Sequence, residues 1–178
     1  MTLGYKEYLE TLYSRIPEQF YEGAVSIFII VVVLILSFIG IKGWRYVAGF
    51  LLCEFVFLIY ASTVIFRESS EATNSHFTPF WSYRNCFHEG EFLLDPEVAL
   101  NILVFLPVGF LLVLSFRGLS WWHTLLIGCG ISVSIEVLQY FLKRGLSEFD
   151  DVFSNTLGCL IGLGAYKMIE YAVRRIGN

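Results

Sequence analysis

Charge is scarce in this chain. Of its 178 residues only 16% are Asp, Glu, Lys or Arg, against 56% hydrophobic, a balance too apolar for a soluble domain of this size. The charges that are present sum to −4, which gives no electrostatic case for a nucleic-acid partner. The four cysteines have neither metal-ligand spacing nor a disulfide pattern. Cys53, Cys129 and Cys159 fall inside apolar runs and only Cys86 in a connection, so they read as small buried thiols. No Ser-His-Asp order, HExxH or phosphate loop occurs. No small-residue cleavage site follows a basic start, so no removable leader is expected.

What the chain has instead is long hydrophobic runs. Crossing a bilayer core takes about 20 residues of helix, and the runs 24–41, 46–66, 98–116, 122–142 and 152–173 are each close to that length. Their connections are short apart from 67–97. The expected fold is therefore all-α: an integral membrane bundle of about five helices forming one domain over 23–178. Before it, Tyr5, Tyr8, Leu9, Leu12, Tyr13 and Ile16 recur at helical spacing among charges, which predicts an amphipathic helix over 1–22 lying on the membrane surface. Lys and Arg divide six to six between the two sides, but those on one side sit in very short connections. By density, the favoured orientation has the amino end outside and the carboxyl end in the cytoplasm.

Helix rise converts sequence position into depth. Glu136 lies inside the fourth run, with Gln139 and Tyr140 on its face and the small residues Gly128 and Ser132 continuing that face. Asn101 stands a few residues into the third run, and Asn155 a similar distance into the fifth. Asp151 and Gly158 share the Asn155 face. Three runs thus bring polar groups to one depth near the outer leaflet, beneath Glu148, Asp150, Lys143 and Arg144. Arg144 and Lys143 are candidate partners for Glu136, Asp150 or Asp151. In one reading Asp150 or Asp151 caps the fifth helix and the amides tie the bundle together. In the other, favoured reading the cluster lines a pocket, because each further carboxylate adds repulsion that capping does not explain. Glu54, near mid-membrane, is set apart from this site. Pro107 inside a run frees a carbonyl and kinks the helix. In the loop, Phe77, Phe80, Trp81 and Tyr83 suit an interfacial belt or a flap over the bundle mouth. His76 and His88 are a weak metal signal.

Four stretches carry a family resemblance: Thr78-Pro-Phe80, Asn101-Ile-Leu-Val-Phe-Leu-Pro-Val-Gly109, Ser134-Ile-Glu136-x-x-Gln139, and Asp150-Asp151-x-x-x-Asn155-Thr-x-Gly158. In order and spacing, over about residues 76–166, they resemble the VanZ-like family of bacterial membrane proteins. Where many members read aromatic-Asp-x-Asp-Asp, this chain has Ser-Glu-Phe-Asp-Asp, with Glu148 in the first acidic place. The resemblance implies a multi-pass protein of the bacterial cytoplasmic membrane and envelope biology linked to the glycopeptide teicoplanin. It implies no established reaction.

The leading expectation is a non-enzymatic protein that binds a lipid-linked envelope precursor or a glycopeptide at the outer-leaflet pocket. Glu136, Glu148, Asp150 and Asp151 would receive cationic or hydrogen-bonding groups, directly or through a divalent cation with oxygen ligands. Asn101, Gln139 and Asn155 would orient the head group, and Arg144 would meet phosphate. Pro107, Gly109 and Gly158 are structural. One alternative is an intramembrane hydrolase or transferase working on a polyprenyl-linked lipid through Asp150, Asp151 and Glu136. A second is a scaffold in which Gly158-x-x-x-Gly162 packs a neighbouring span or a second copy.

Overall fold

Apolar stretches too long to be covered by protein alone become helices here, because only hydrogen-bonded helix satisfies the backbone within a membrane. The structure, a computed structural model, describes residues 43–70, 74–88, 96–116 and 118–176. In chain order these residues form α1 (Trp44–Tyr60), β1 (Asn74–His76), α2 (Trp81–His88), α3 (Pro96–Ser115), α4 (Trp121–Leu142), β2 (Leu146–Glu148) and α5 (Phe149–Ile176). A π-helical turn over Ala61–Ile65 extends α1. Among the described residues, α1 with this turn, α3, α4 and α5 are long and apolar enough to cross a membrane. The chain is an all-α membrane helical bundle. The expected amphipathic helix over 1–22 and the run 24–41 lie outside the described residues.

The helices begin and end within three residues of the apolar runs. The largest excess is α5, which starts at Phe149 directly after β2 and therefore takes Asp150 and Asp151 into its first turn, where the helix dipole favours acids. Neither aspartate precedes the helix as a cap, contrary to expectation. The two three-residue strands are an addition to the all-α reading. They run parallel, pairing Asn74 with Leu146, Ser75 with Ser147 and His76 with Glu148.

α3 is the centre of the core. Its Phe105, Val108, Leu111 and Leu114 are almost fully enclosed and meet Leu51, Phe55 and Ile59 of α1, Ile135 of α4 and Cys159 of α5. Against α5 the packing reaches the backbone. A methyl group on Gly158 would run into the Ile102 carbonyl, one on Gly162 into the Leu106 carbonyl, and one on Gly109 into the Cys159 carbonyl. The Gly158-x-x-x-Gly162 face is therefore taken up by a neighbouring span of the same chain. Gly128 does the same for α4, where a Cβ would lie 2.7 Å from the Cys159 sulfur. Cys159 is buried, Cys129 is half-buried and Cys53 is exposed on α1. The expectation of uniformly buried thiols thus fails at Cys53, because it lies on the face of α1 turned away from α3.

Close helix approach of this kind has no slack. Gly158→Ala is expected to destabilise the bundle by about 1–3 kcal/mol, the usual cost of overpacking a core. Gly164, with nothing within 4 Å of an added methyl, is the control, and Gly164→Ala should be neutral or mildly stabilising. Thermal unfolding of both variants in detergent checks this; equal midpoints would contradict the packing.

Candidate functional site

The C-terminal end of α1, the N-terminal ends of α3 and α5 and the C-terminal end of α4 come together at one end of the bundle, and the segment 74–88 folds over it. Asp150 holds that flap. Its side chain, 1% exposed, accepts the Phe80 amide at 2.6 Å on one oxygen and the Ser82 amide at 2.9 Å on the other. These are N–H groups at the start of α2, which have no partner inside that helix. Asp150 thus caps α2, a helix some 70 residues away in sequence, instead of its own. The turn it braces carries Phe80 at φ 59°, a left-handed conformation that a bulky residue adopts only when its surroundings impose it. The Phe80 ring packs edge-on against Phe149 at 5.9 Å and Phe153 at 5.2 Å. Tyr83 bonds Ser154 at 2.8 Å, and Ser154 donates back to the Asp150 carbonyl at 2.7 Å. Of the two roles foreseen for the loop aromatics, the flap is the one seen.

The second fixed point is Glu136. One of its carboxylate oxygens accepts the Glu148 amide at 2.9 Å, which ties β2 to α4. Glu136, Ser147 and Glu148 then form the polar part of a cleft of about 480 Å³ whose remaining wall is Phe77, Val133, Val137, Tyr140, Phe141, Phe149 and Val152. Phe77 of the flap and Tyr140 of α4 face each other across it at 6.2 Å. Glu148 is 5% exposed. Burial, and then the neighbouring Glu97 carboxylate, pushes its carboxyl above the ordinary range, with the His76 imidazole partly opposing them.

The other predicted residues divide among separate tasks. Asp151 accepts the Asn101 amide at 2.7 Å, joining α5 to α3. Asn155 donates to Ser132 at 2.8 Å, joining α5 to α4. Gln139 donates to the Thr63 carbonyl at 3.2 Å. Arg144, expected to pair with a carboxylate, instead donates to the carbonyls of Val64 at 2.9 Å and Ile65 at 2.5 Å. The reason is local: the π-helical turn ends there and leaves carbonyls that a guanidinium can satisfy. Arg174 and Glu170 form an ion pair at the far end of α5. No three His, Cys, Asp or Glu side chains among them stand together as a metal site. Of the eight expected ligand-binding residues, the cleft contains Glu136 and Glu148. Ser147 and Phe141 were not foreseen, since a strand residue has no helical period and Phe141 lies off the Glu136 face of α4. Glu54 is half-buried in α1, remote from the cleft.

The family model described as VanZ/LLP1 matches residues 47–170, more than two thirds of the chain. The chain belongs to the VanZ/LLP1 family. The match to this VanZ family takes in almost all of the four described spans together with the flap and both strands. Protein VanZ of Enterococcus faecium is 29% identical over 70 residues, which cover 39% of this chain and 44% of that protein. The chain therefore matches less than half the length of this curated relative. No solved structure matches the chain. Family and helices together make this VanZ-family chain a multi-pass membrane protein.

Two outcomes test the geometry. Asp150→Ala removes the acceptor for two amides, a loss of about 1–3 kcal/mol for each buried group left unpaired. It should raise hydrogen exchange across 78–84 while the bundle still inserts; unchanged exchange there would contradict the anchor. The raised Glu148 carboxyl sets a pH dependence. Its contribution to stability is complete below pH 4.5, its ordinary value, and is lost as the pH climbs through the raised value. The midpoint of unfolding should therefore fall with rising pH, and Glu148→Gln should flatten that fall. Identical slopes in both proteins would show that Glu148 contributes nothing to it.

Proposed function

We propose that this VanZ-family protein is a non-enzymatic component of the bacterial envelope that binds an amphipathic ligand in the cleft between α4, β2 and the flap. The ligand class is a lipid-linked envelope precursor or a teicoplanin-type glycopeptide, and binding it contributes to glycopeptide resistance. One observation carries this reading: two buried carboxylates, Glu136 and Glu148, stand in the wall of an otherwise apolar cleft of about 480 Å³. Buried acids in a membrane protein are costly unless they serve a partner, a wet cavity or a task. An apolar wall with a few convergent polar groups is the usual form of a small-molecule site. The link to resistance rests on the similarity to Protein VanZ. In this reading the flap end faces outward. Arg45, Lys167, Arg174 and Arg175 then lie at the cytoplasmic side.

The remaining predicted residues support the cleft instead of lining it. Asn101, Asp151 and Asn155 hold α5 against α3 and α4. Arg144, engaged with two carbonyls, has no geometry for a ligand phosphate. In the alternative hydrolase reading Asp150 has no free oxygen for chemistry, since both are taken by amides.

Titration of purified protein with teicoplanin and with a polyprenyl phosphate, read by native mass spectrometry, tests the proposal. At least one should bind saturably. Val137→Trp, which fills the cleft, should weaken that binding about tenfold or more. Absence of saturable binding by either ligand sinks it.

A further inference from the structure

Under the flap edge, three polar atoms are buried and lack a hydrogen-bond partner: Glu148 Oε1, His76 Nδ1 and the Trp81 indole Nε1. They are neighbours. His76 pairs with Glu148 across the strand ladder, and the His76 and Trp81 rings lie 4.4 Å apart. The indole N–H is directed at Glu148 and favours its charged form. Native proteins rarely leave such atoms unpaired, and each one asks for a water, an ion or a ligand. Glu148 belongs to two places at once, because it also lines the cleft. Phe77, the residue after His76, forms the adjoining wall. Reaching these buried atoms from the cleft requires the His76–Phe77 edge to move outward.

The charge there selects the guest. Among the described residues, Glu136, Glu148, Asp150 and Asp151 make no ion pair, and the Arg144 guanidinium is turned to the carbonyls of Val64 and Ile65. These carboxylates favour a cationic group over an anionic one at this end of the cleft, so a ligand's phosphate lies away from it. A metal ion finds no ligand set among the described residues, where no three ligating side chains converge. An ammonium group needs only acceptors. Glu148 Oε1 supplies the charge-assisted acceptor, and His76 Nδ1 accepts when the proton sits on the other ring nitrogen. The Trp81 indole lies beside them, its N–H directed at Glu148. The wall of Val133, Val137, Phe141 and Val152 fits an alkyl chain.

We infer that the cleft's polar end takes a primary ammonium group carried on an apolar chain, held by Glu148 with His76 and Trp81 beside it. This rests on the cleft being a binding site, and the test separates the two claims. The protein in maltoside micelles is titrated at neutral pH with dodecylammonium and, separately, with dodecanol, and native mass spectrometry counts the bound ligand. The expected result is a preference of about tenfold or more for the amine, falling to parity in Glu148→Gln. Equal affinity of the two probes in the wild type overturns the ammonium assignment and leaves the cleft standing. A preference that survives Glu148→Gln overturns the assignment to Glu148. Saturable binding of neither probe overturns both. The comparison on the wild type alone decides the first and last of these, so it holds even where the variant does not fold.

Discussion

Two backbone amides on one buried carboxylate fix the flap end of this bundle. Asp150 sits in the first turn of α5, and through Phe80 and Ser82 it governs where the flap can lie. With the flap in place, β1 meets β2, and β2 presents Glu148 to Glu136. The cleft wall at Phe77 follows from the same placement. The contact is strong because it combines a charge-assisted acceptor with donors that α2 could not satisfy itself. It also holds Phe80 in a left-handed conformation, so the anchor carries local backbone strain as well as a lid.

Beneath that end, α3 and α5 touch through backbone. Glycines at 109, 158 and 162 let carbonyls approach where any side chain would block them. Helices within a membrane gain no hydrophobic drive to associate, so the stability of this interface comes from close packing and from a few polar ties. Asn101 with Asp151 and Ser132 with Asn155 are those ties. They keep three helices in register just below the cleft, which lets the cleft have rigid walls without a large core of its own.

Sequence periodicity made the spans legible, and their ends came out within three residues because hydrophobic length is a property of each segment alone. The convergence of polar groups at one depth was legible for the same reason: rise per residue places Asn101, Glu136 and Asn155 without knowledge of their neighbours. What each group bonds to was not. Asp150 reads as a cap for its own helix until a distant turn supplies two better-placed amides. Arg144 reads as an acid's partner until the π-helical turn offers bare carbonyls. A three-residue strand has no period to detect, so neither β1 nor β2 could be foreseen. The contrast between interhelical glue and a pocket also dissolves, since Asp151 and Asn155 serve the first and Glu136 and Glu148 line the second.

The Phe80–Asp150 contact spans 70 residues, and this has a consequence for biogenesis. At a synthesis rate of about 5–20 residues per second, the flap leaves the ribosome roughly 4 to 14 seconds before the aspartate that fastens it. For that interval Phe77, Phe80 and Trp81 have no bundle end to rest on, and their natural resting place is the membrane–water boundary, where aromatic rings settle. The segment therefore waits at the membrane surface at the height where it is later used. The arrival of α5 completes the roof, so the cleft is among the last parts of the protein to exist.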